Sequence, residues 1–419
     1  MELSKSSINN FLFIAVLLCS VHFFGLHYRF GNYAYDLIDL FYFSVALFFL
    51  MKFIGTKREY LIPRKDLLFT NIILFFAAAL IFSSISSFYY HDQPPLSTLI
   101  AMRYFLYFLV FFILVIIGVD KKHLLKVCII FAVFYMAVFM LQLILFPTAI
   151  VPMGDTTDFD RGFLRLRVEG VGFITLTGFY SLNRYLVNKK QLGYLLFYLL
   201  CFVFILILGF RTLLSTFLIS SIYLIFLHKR SIVSRLSSLM FVFLFGLLLS
   251  QISFVQDFIM AMLERTDEQL KMGQEYIRFR TLDFLFNKIN VDWGSLIFGN
   301  GMPVEGSRYG RIVLGYGAKE HGFISADLGI LGFIFNYGVI ATLAFLYIFI
   351  KAALIELPKD SVYLNVFFFY LIISSFTTAE IFRAGIFGVE MIGLYLIAYT
   401  KYENKLSNLC ITPSPVCLT

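Results

Sequence analysis

Apolar runs about as long as a bilayer is thick recur along the whole chain, separated by polar connections. A membrane-crossing helix needs roughly 20 mostly apolar residues, and about twelve stretches qualify by that rule: Ile8 to Leu26, Tyr35 to Ile54, Leu67 to Phe88, Leu96 to Gly118, Leu124 to Phe146, Val171 to Val187, Leu192 to Gly209, Thr212 to Leu227, Leu236 to Val255, Phe323 to Ile350, Val362 to Thr378 and Ala384 to Thr400. The pattern predicts an all-α, polytopic transmembrane helical bundle. Most connections are short. The exceptions are Pro147 to Gly170 and Gln256 to about His321, and the second is far longer than a connection requires. Long loops of this kind are commonly functional. The chain therefore divides into residues 1–255 with spans one to nine, a large partly helical loop over 256–321, and residues 322–419 with the last three spans and a tail.

Composition agrees with the pattern, because 60% hydrophobic residues and 53 Phe far exceed the usage of a soluble domain. The first run follows only Lys5 and lacks a small-residue cleavage site, so it is expected to be retained as a helix. Cys19, Cys128 and Cys201 fall in spans and Cys410 and Cys417 in the tail, which excludes a disulfide framework or a cysteine metal cluster.

Charge then orients the bundle. One set of short connections carries Lys52, Lys57, Arg58, Arg64, Lys65, Lys121, Lys122, Lys126, Arg184, Lys189, Lys190, Lys229, Arg230 and Arg235, mostly lysine, and is expected to be cytoplasmic. The opposite set is rich in arginine instead: Arg29, Arg103, Arg161, Arg165, Arg167, Arg211, Arg265, Arg278, Arg280, Arg308, Arg311 and Arg383. Either cation serves as a topogenic signal, whereas a planar fork that grips phosphate oxygens in pairs is a property of arginine. Pairing with Asp and Glu on the same face is the plainer account.

Within the large loop, Glu275 to Ile289 reads as an amphipathic helix with Leu282, Leu285, Phe286 and Ile289 on one stripe. Arg278 shares that stripe and Arg280 the other edge with Asp283, Phe284 and Asn287, so the two arginines do not point into one small site from a regular helix. Gly299 to Gly322 is glycine-rich and reads as an irregular hinge. Its GxGxxG-like spacings do not follow a strand and are not a nucleotide loop.

Ionisable residues inside spans are costly and draw attention. Arg103, Asp36 and Asp39 enter from the arginine-rich side, and Arg103 is either an internal brace to those carboxylates or a substrate contact. Glu390 lies in the last span, and His22 reads as a packed or interfacial histidine. Arg211 opens a span at a turn where unsatisfied amides attract anions, with interfacial snorkelling as the alternative. His321, beside Glu320, can take a proton from a hydroxyl, with Glu320 tuning it. The acidic run Asp155, Asp158 and Asp160 reads as a solvated loop; no metal, cofactor or nucleic-acid partner is expected.

The succession Gly209-Phe210-Arg211-Thr212, Arg280 with Phe284 four residues on, Leu296-Ile297-Phe298-Gly299-Asn300-Gly301, Glu320-His321 and Asp327-Leu328-Gly329-Ile330-Leu331-Gly332 resembles the bacterial O-antigen polymerase and O-antigen ligase superfamily over Leu208 to Gly338. It departs from the family pattern at Phe210, Thr212, Phe284 and Gly322. The resemblance implies a metal-independent membrane glycosyltransferase of the bacterial inner membrane, working on its periplasmic side with a polyprenyl-pyrophosphate-linked oligosaccharide as donor. It implies Arg211 and Arg280 on the pyrophosphate and His321 activating the acceptor hydroxyl. Arg103, Arg278, Glu320 and Asp327 are further substrate-binding candidates in this sequence. Partners would be membrane lipids, a chain-length regulator and a flippase. Ligation of a glycan to a lipid A core is the near alternative, and a lipid-linked oligosaccharide flippase or transporter the alternative of another class.

Overall fold

The computed structural model describes residues 5–30, 32–55, 67–146, 168–188, 191–228, 271–376 and 384–411, with a few single positions between them. The span expected over Leu236 to Val255, the first part of the large loop, the acidic run, and Arg161, Arg165, Arg167, Arg265 and Arg383 lie outside the described residues. The described residues form helices and the turns that join them, without strands. Helix α1 is Lys5–Ser20, α2 Asn32–Gly55, α3 Thr70–His91, α4 Pro95–Ala101, α5 Leu109–Ile117, α6 Lys121–Leu145, α7 Val171–Val187, α8 Leu192–Ile207 and α9 Arg211–His228. After the large loop come α10 Ile277–Asp283, α11 Trp293–Phe298, α12 Ile330–Leu354, α13 Tyr363–Ser375 and α14 Ala384–Ile411.

Four of these, α3, α6, α9 and α12, are long and apolar enough to cross a membrane, and a fifth if α4 and the Arg103–Ile117 stretch form one bent span. Helix α3 exposes Leu74, Phe75, Ile81, Phe82, Ile85 and Phe88 along its outer side. A contiguous apolar face of that kind is of the sort a membrane or a packed partner covers. The other face of each helix is packed: Phe76 meets Phe105, Phe108, Phe333 and Phe345 at ring separations of 5.2–6.4 Å.

Two expected spans are not continuous. The stretch from Leu96 to Gly118 bends by 58° where α4 ends and a 3-10 turn, Arg103–Phe108, begins. Side chains hold the bend: Arg103 and Tyr107 bond Asp39, and the Tyr104 and Tyr337 hydroxyls meet. The first span stops at Ser20, and His22, Phe23 and Phe24 follow in the left-handed region at φ 45–59°. Such residues persist only when their surroundings over-determine them. Here His22 is gripped by carboxylates and Phe24 by the rings of Phe131 and Phe134.

Helix α12 starts at Ile330 rather than Phe323, because Gly329 adopts φ 58°, ψ −126°, and a Cβ there would collide with the Ser375 carbonyl. Only glycine makes that turn without strain.

Contacts between chain ends sort the helices into two opposite ends. At one end Lys351 bonds Leu68 O, Asn183 bonds Lys359 and Asp360, His228 meets Lys359 O, Lys121 bonds Ser361 and Thr400, and Tyr395 bonds Val119 O. At the other end lie His22, Asp39, Arg103, His91 and the whole described part of the large loop. That part has its own small core of Phe284, Leu285, Tyr309, Val313, Phe323, Leu328 and Phe335.

Candidate active site

The loop module is tied to the bundle by a polar joint. Gln93 Nε2 donates to Thr98 Oγ1 and Met302 O at 2.7 and 2.8 Å, while its Oε1 accepts from Val304 N and Ser307 Oγ at 3.0 and 2.8 Å. His91 bonds Asn300 at 2.7 Å and stacks on Tyr309 with ring centroids 4.2 Å apart. Burial pushes the Tyr309 phenol well up, so it stays neutral. Gly299 crosses α12 at Gly338, which leaves the helical region at φ 84°, ψ 165°. A Cβ on either would strike the other segment's backbone. The stretch expected to be an irregular hinge is therefore a close-packed joint, and its glycines serve backbone-to-backbone approach.

On this base α10 continues into a π-helical turn, Phe284–Ile289, and a second π-helical stretch runs over Arg311–Glu320. Leu285 is buried and Leu282, Phe286 and Ile289 pack beside it, as the amphipathic pattern predicts. Phe284, expected on the polar edge with Arg280, is also buried, because i→i+5 pairing widens the turn and swings an extra side chain inward. Its ring lies against Gly317, where a Cβ would approach to 2.7 Å.

Between the two π-helical stretches opens a cavity of about 450 Å³. Arg280, His321, Phe323, Tyr316, Glu275 and Asp283 line it, together with Phe279, Phe284 and Lys288. Phe323, nearly buried, is the shared support: the Arg280 guanidinium lies 5.6 Å from its ring centre and the His321 ring 5.4 Å. The Tyr316 ring stands edge-on to His321 at 4.4 Å. Cation–π and edge-to-face contacts thus hold the cation and the base on one aromatic floor. Asp283 accepts from Asn287 at 2.9 Å and lies 3.8 Å from Lys288.

The other expected site residues are elsewhere. Glu320, expected to tune His321, is exposed and does not line the cavity; Glu275 and Asp283 are the carboxylates that line it with His321. Helix-end neighbours diverge, which is why adjacency in sequence misled. Arg278 is half-buried with its guanidinium 6.0 Å from the Tyr276 ring, away from the cavity. Asp327 is exposed on a 3-10 turn, Ser325–Leu328, that leads into Gly329. Arg211 begins α9 and is not among the cavity's lining residues. It does lie at the same end of the bundle: α9 and α13 run antiparallel, with His228 beside Lys359, and the far end of α13 adjoins Gly329.

Arg103 is the internal brace. Its Nε lies 2.6 Å from Asp39 and its NH2 group 2.9 Å from Asp36. Asp39 also accepts from Tyr107 at 2.7 Å and faces His22 at 3.4 Å, and the other ring nitrogen of His22 lies 2.6 Å from Glu169. His22 is fully buried in this network, so the sequence reading of a packed histidine is half the story: it packs as the centre of a charged cluster. Its carboxylates come from 17 and 147 residues away, and no local pattern could show them. Among the described residues no group of three His, Cys, Asp or Glu is arranged to hold a metal ion. No family model matches the chain, and no curated protein matches it.

Proposed function

We propose that this chain is a membrane glycosyltransferase that polymerises polyprenyl-pyrophosphate-linked oligosaccharide repeat units on the periplasmic face of a bacterial inner membrane, with about twelve spans. The observation that carries the reading is the meeting of Arg280 and His321 in one cavity, on one Phe323 floor. His321 takes the proton of an acceptor sugar hydroxyl as that oxygen attacks the anomeric carbon of the donor. The bond to the lipid diphosphate breaks, and the negative charge left on it falls to Arg280, with Arg211 serving the same anion from its helix start. The oxygens of Glu275 and Asp283 suit sugar hydroxyls and repel a diphosphate, which favours Arg280 as the diphosphate's contact in the cavity. Aromatic walls at Phe279 and Tyr316 offer flat faces to sugar rings.

Ligation of glycan to a lipid core uses the same groups with a different acceptor. A transporter of the same lipid-linked glycan is the reading favoured by another observation, since the span around Met102 is broken and broken helices recur in transporters. Purified protein given a lipid-linked repeat unit separates the three by mass spectrometry. A lengthening ladder supports the polymerase; transfer to a lipid core alone, or no covalent change, refutes it. His321→Ala should abolish the ladder while the protein stays folded in the membrane.

A further inference from the structure

A second cavity, of about 440 Å³, lies toward the opposite, lysine-rich end of the bundle, between α6, α7 and the start of α8. Ile129, Tyr194 and Phe197 give it apolar walls, and Ser181 and Gln191 face it with polar groups. Ser181 is fully buried, and its Oγ has no hydrogen-bond partner; Gln191 Oε1 is likewise buried and unsatisfied. One turn beyond Ser181, Arg184 holds its guanidinium 5.9 Å from the Tyr194 ring, with its Nε buried and unpartnered. No carboxylate lines the cavity. Buried polar atoms are nearly always paired, so two at the cavity wall, Ser181 Oγ and Gln191 Oε1, with Arg184 Nε behind Tyr194, call for a molecule that supplies the partners.

The needed chemistry is specific. Arg184 and Ser181 ask for anionic oxygens, Gln191 Oε1 asks for a hydroxyl donor, and Ile129 and Phe197 ask for hydrocarbon. We infer that this cavity binds a phospholipid whose head group is anionic and carries hydroxyls, with phosphatidylglycerol as the fitting probe and one acyl chain along the Ile129–Phe197 wall. Basic pockets between helices at this level of a membrane are suited to such head groups. A soluble phosphate would satisfy the polar atoms and leave the apolar wall unused. The inference is independent of the glycosyltransferase reading, because it concerns the other end of the molecule.

Gly193 supplies the test, since it lines the cavity and a Cβ there would meet nothing within 4 Å. Gly193→Leu adds bulk at the cavity from a position where its Cβ meets open space. The full-length protein in mild detergent is incubated with phosphatidylglycerol or phosphatidylcholine, and bound lipid is read by native mass spectrometry, with inorganic phosphate as competitor. The wild type should retain phosphatidylglycerol in preference to phosphatidylcholine. Gly193→Leu and Arg184→Gln should each retain it about tenfold less, the loss of one strong polar contact or of the space itself. Melting of Gly193→Leu should match the wild type. Equal retention of both lipids, undiminished retention by Gly193→Leu, or displacement by millimolar phosphate overturns the inference. Should Gly193→Leu fail to fold, the lipid preference of Arg184→Gln decides it, and an unchanged preference is a refutation.

Discussion

Arg280 is the residue on which the proposed chemistry can be tested with least ambiguity, because its side chain is exposed and its removal opens no cavity. Substituting Arg280→Ala takes away one cation facing the leaving diphosphate. A charge-assisted hydrogen bond contributes about 1.5–3 kcal/mol, which corresponds to roughly 10- to 150-fold in rate. Arg280→Lys keeps the charge but loses the planar fork and its seat 5.6 Å over Phe323, so about tenfold is expected to be lost. Phe323→Leu removes the floor shared with His321 while retaining bulk; a cation–π contact of about 0.5–1 kcal/mol predicts a two- to fivefold loss through Arg280 alone, plus whatever follows from a loosened His321. The assay is initial rate of ladder formation from a lipid-linked repeat unit in proteoliposomes, with thermal melting run on the same samples. Melting should stay within about 0.5 kcal/mol of the wild type for Arg280→Ala, as for other exposed substitutions. Full rate in Arg280→Ala, with the protein folded, would refute the assignment of the diphosphate to Arg280.

Other consequences test the frame that holds the site. Arg103→Ala leaves Asp39, only 12% exposed, without one of its side-chain partners, and about 2 kcal/mol of stability should be lost once the partial exposure of Arg103 is discounted; Asp36→Asn, at a 70% exposed carboxylate, should cost under about 1 kcal/mol, both read as melting shifts. Gly338→Ala should destabilise by at least about 2 kcal/mol, combining a backbone region closed to alanine with a clash on Gly299, and a melting temperature equal to the wild type would contradict the crossing. Trp293, the chain's single tryptophan, is 79% exposed, between Asp292 and Gly294, which meet Tyr90 at the end of α3. In bilayers its fluorescence should be quenched by shallow lipid labels more than by deep ones or by aqueous iodide, as for an interfacial anchor; dominant iodide quenching would place α11 in water.

The helices were most legible where local chemistry bounds them. Val171–Val187 coincides with its apolar run because Gly170 and Asn188 flank it. The break at Met102 was invisible, since neither Pro nor Gly stands there and the bend is imposed from outside by Asp39 and Tyr337. Hydropathy carried the run from Phe323 straight into α12, because it does not register the backbone turn at Gly329. In the site, Arg280 and His321 could be picked out one at a time from their motifs. That they meet, and that Glu275, Asp283 and Tyr316 join them while Glu320 does not, depends on two π-helical stretches whose register an α-periodic reading misplaces.

The arginines of the proposed outer face are then not one population, and surroundings separate them. Arg103 has two carboxylates within 3 Å, so its charge is spent inside the fold and an approaching anion meets little net field. Arg278 faces Tyr276. Arg280 rests on an aromatic ring, which orients a guanidinium without neutralising it, and so keeps its hydrogen-bonding edge for an incoming oxyanion. A guanidinium whose support is a π-face keeps its charge for an anion, whereas one held between carboxylates does not. By that criterion Arg280 qualifies and Arg103 does not, which predicts that Arg103→Ala, rescued for stability by Asp36→Asn with Asp39→Asn, keeps its turnover while Arg280→Ala in the same background loses it.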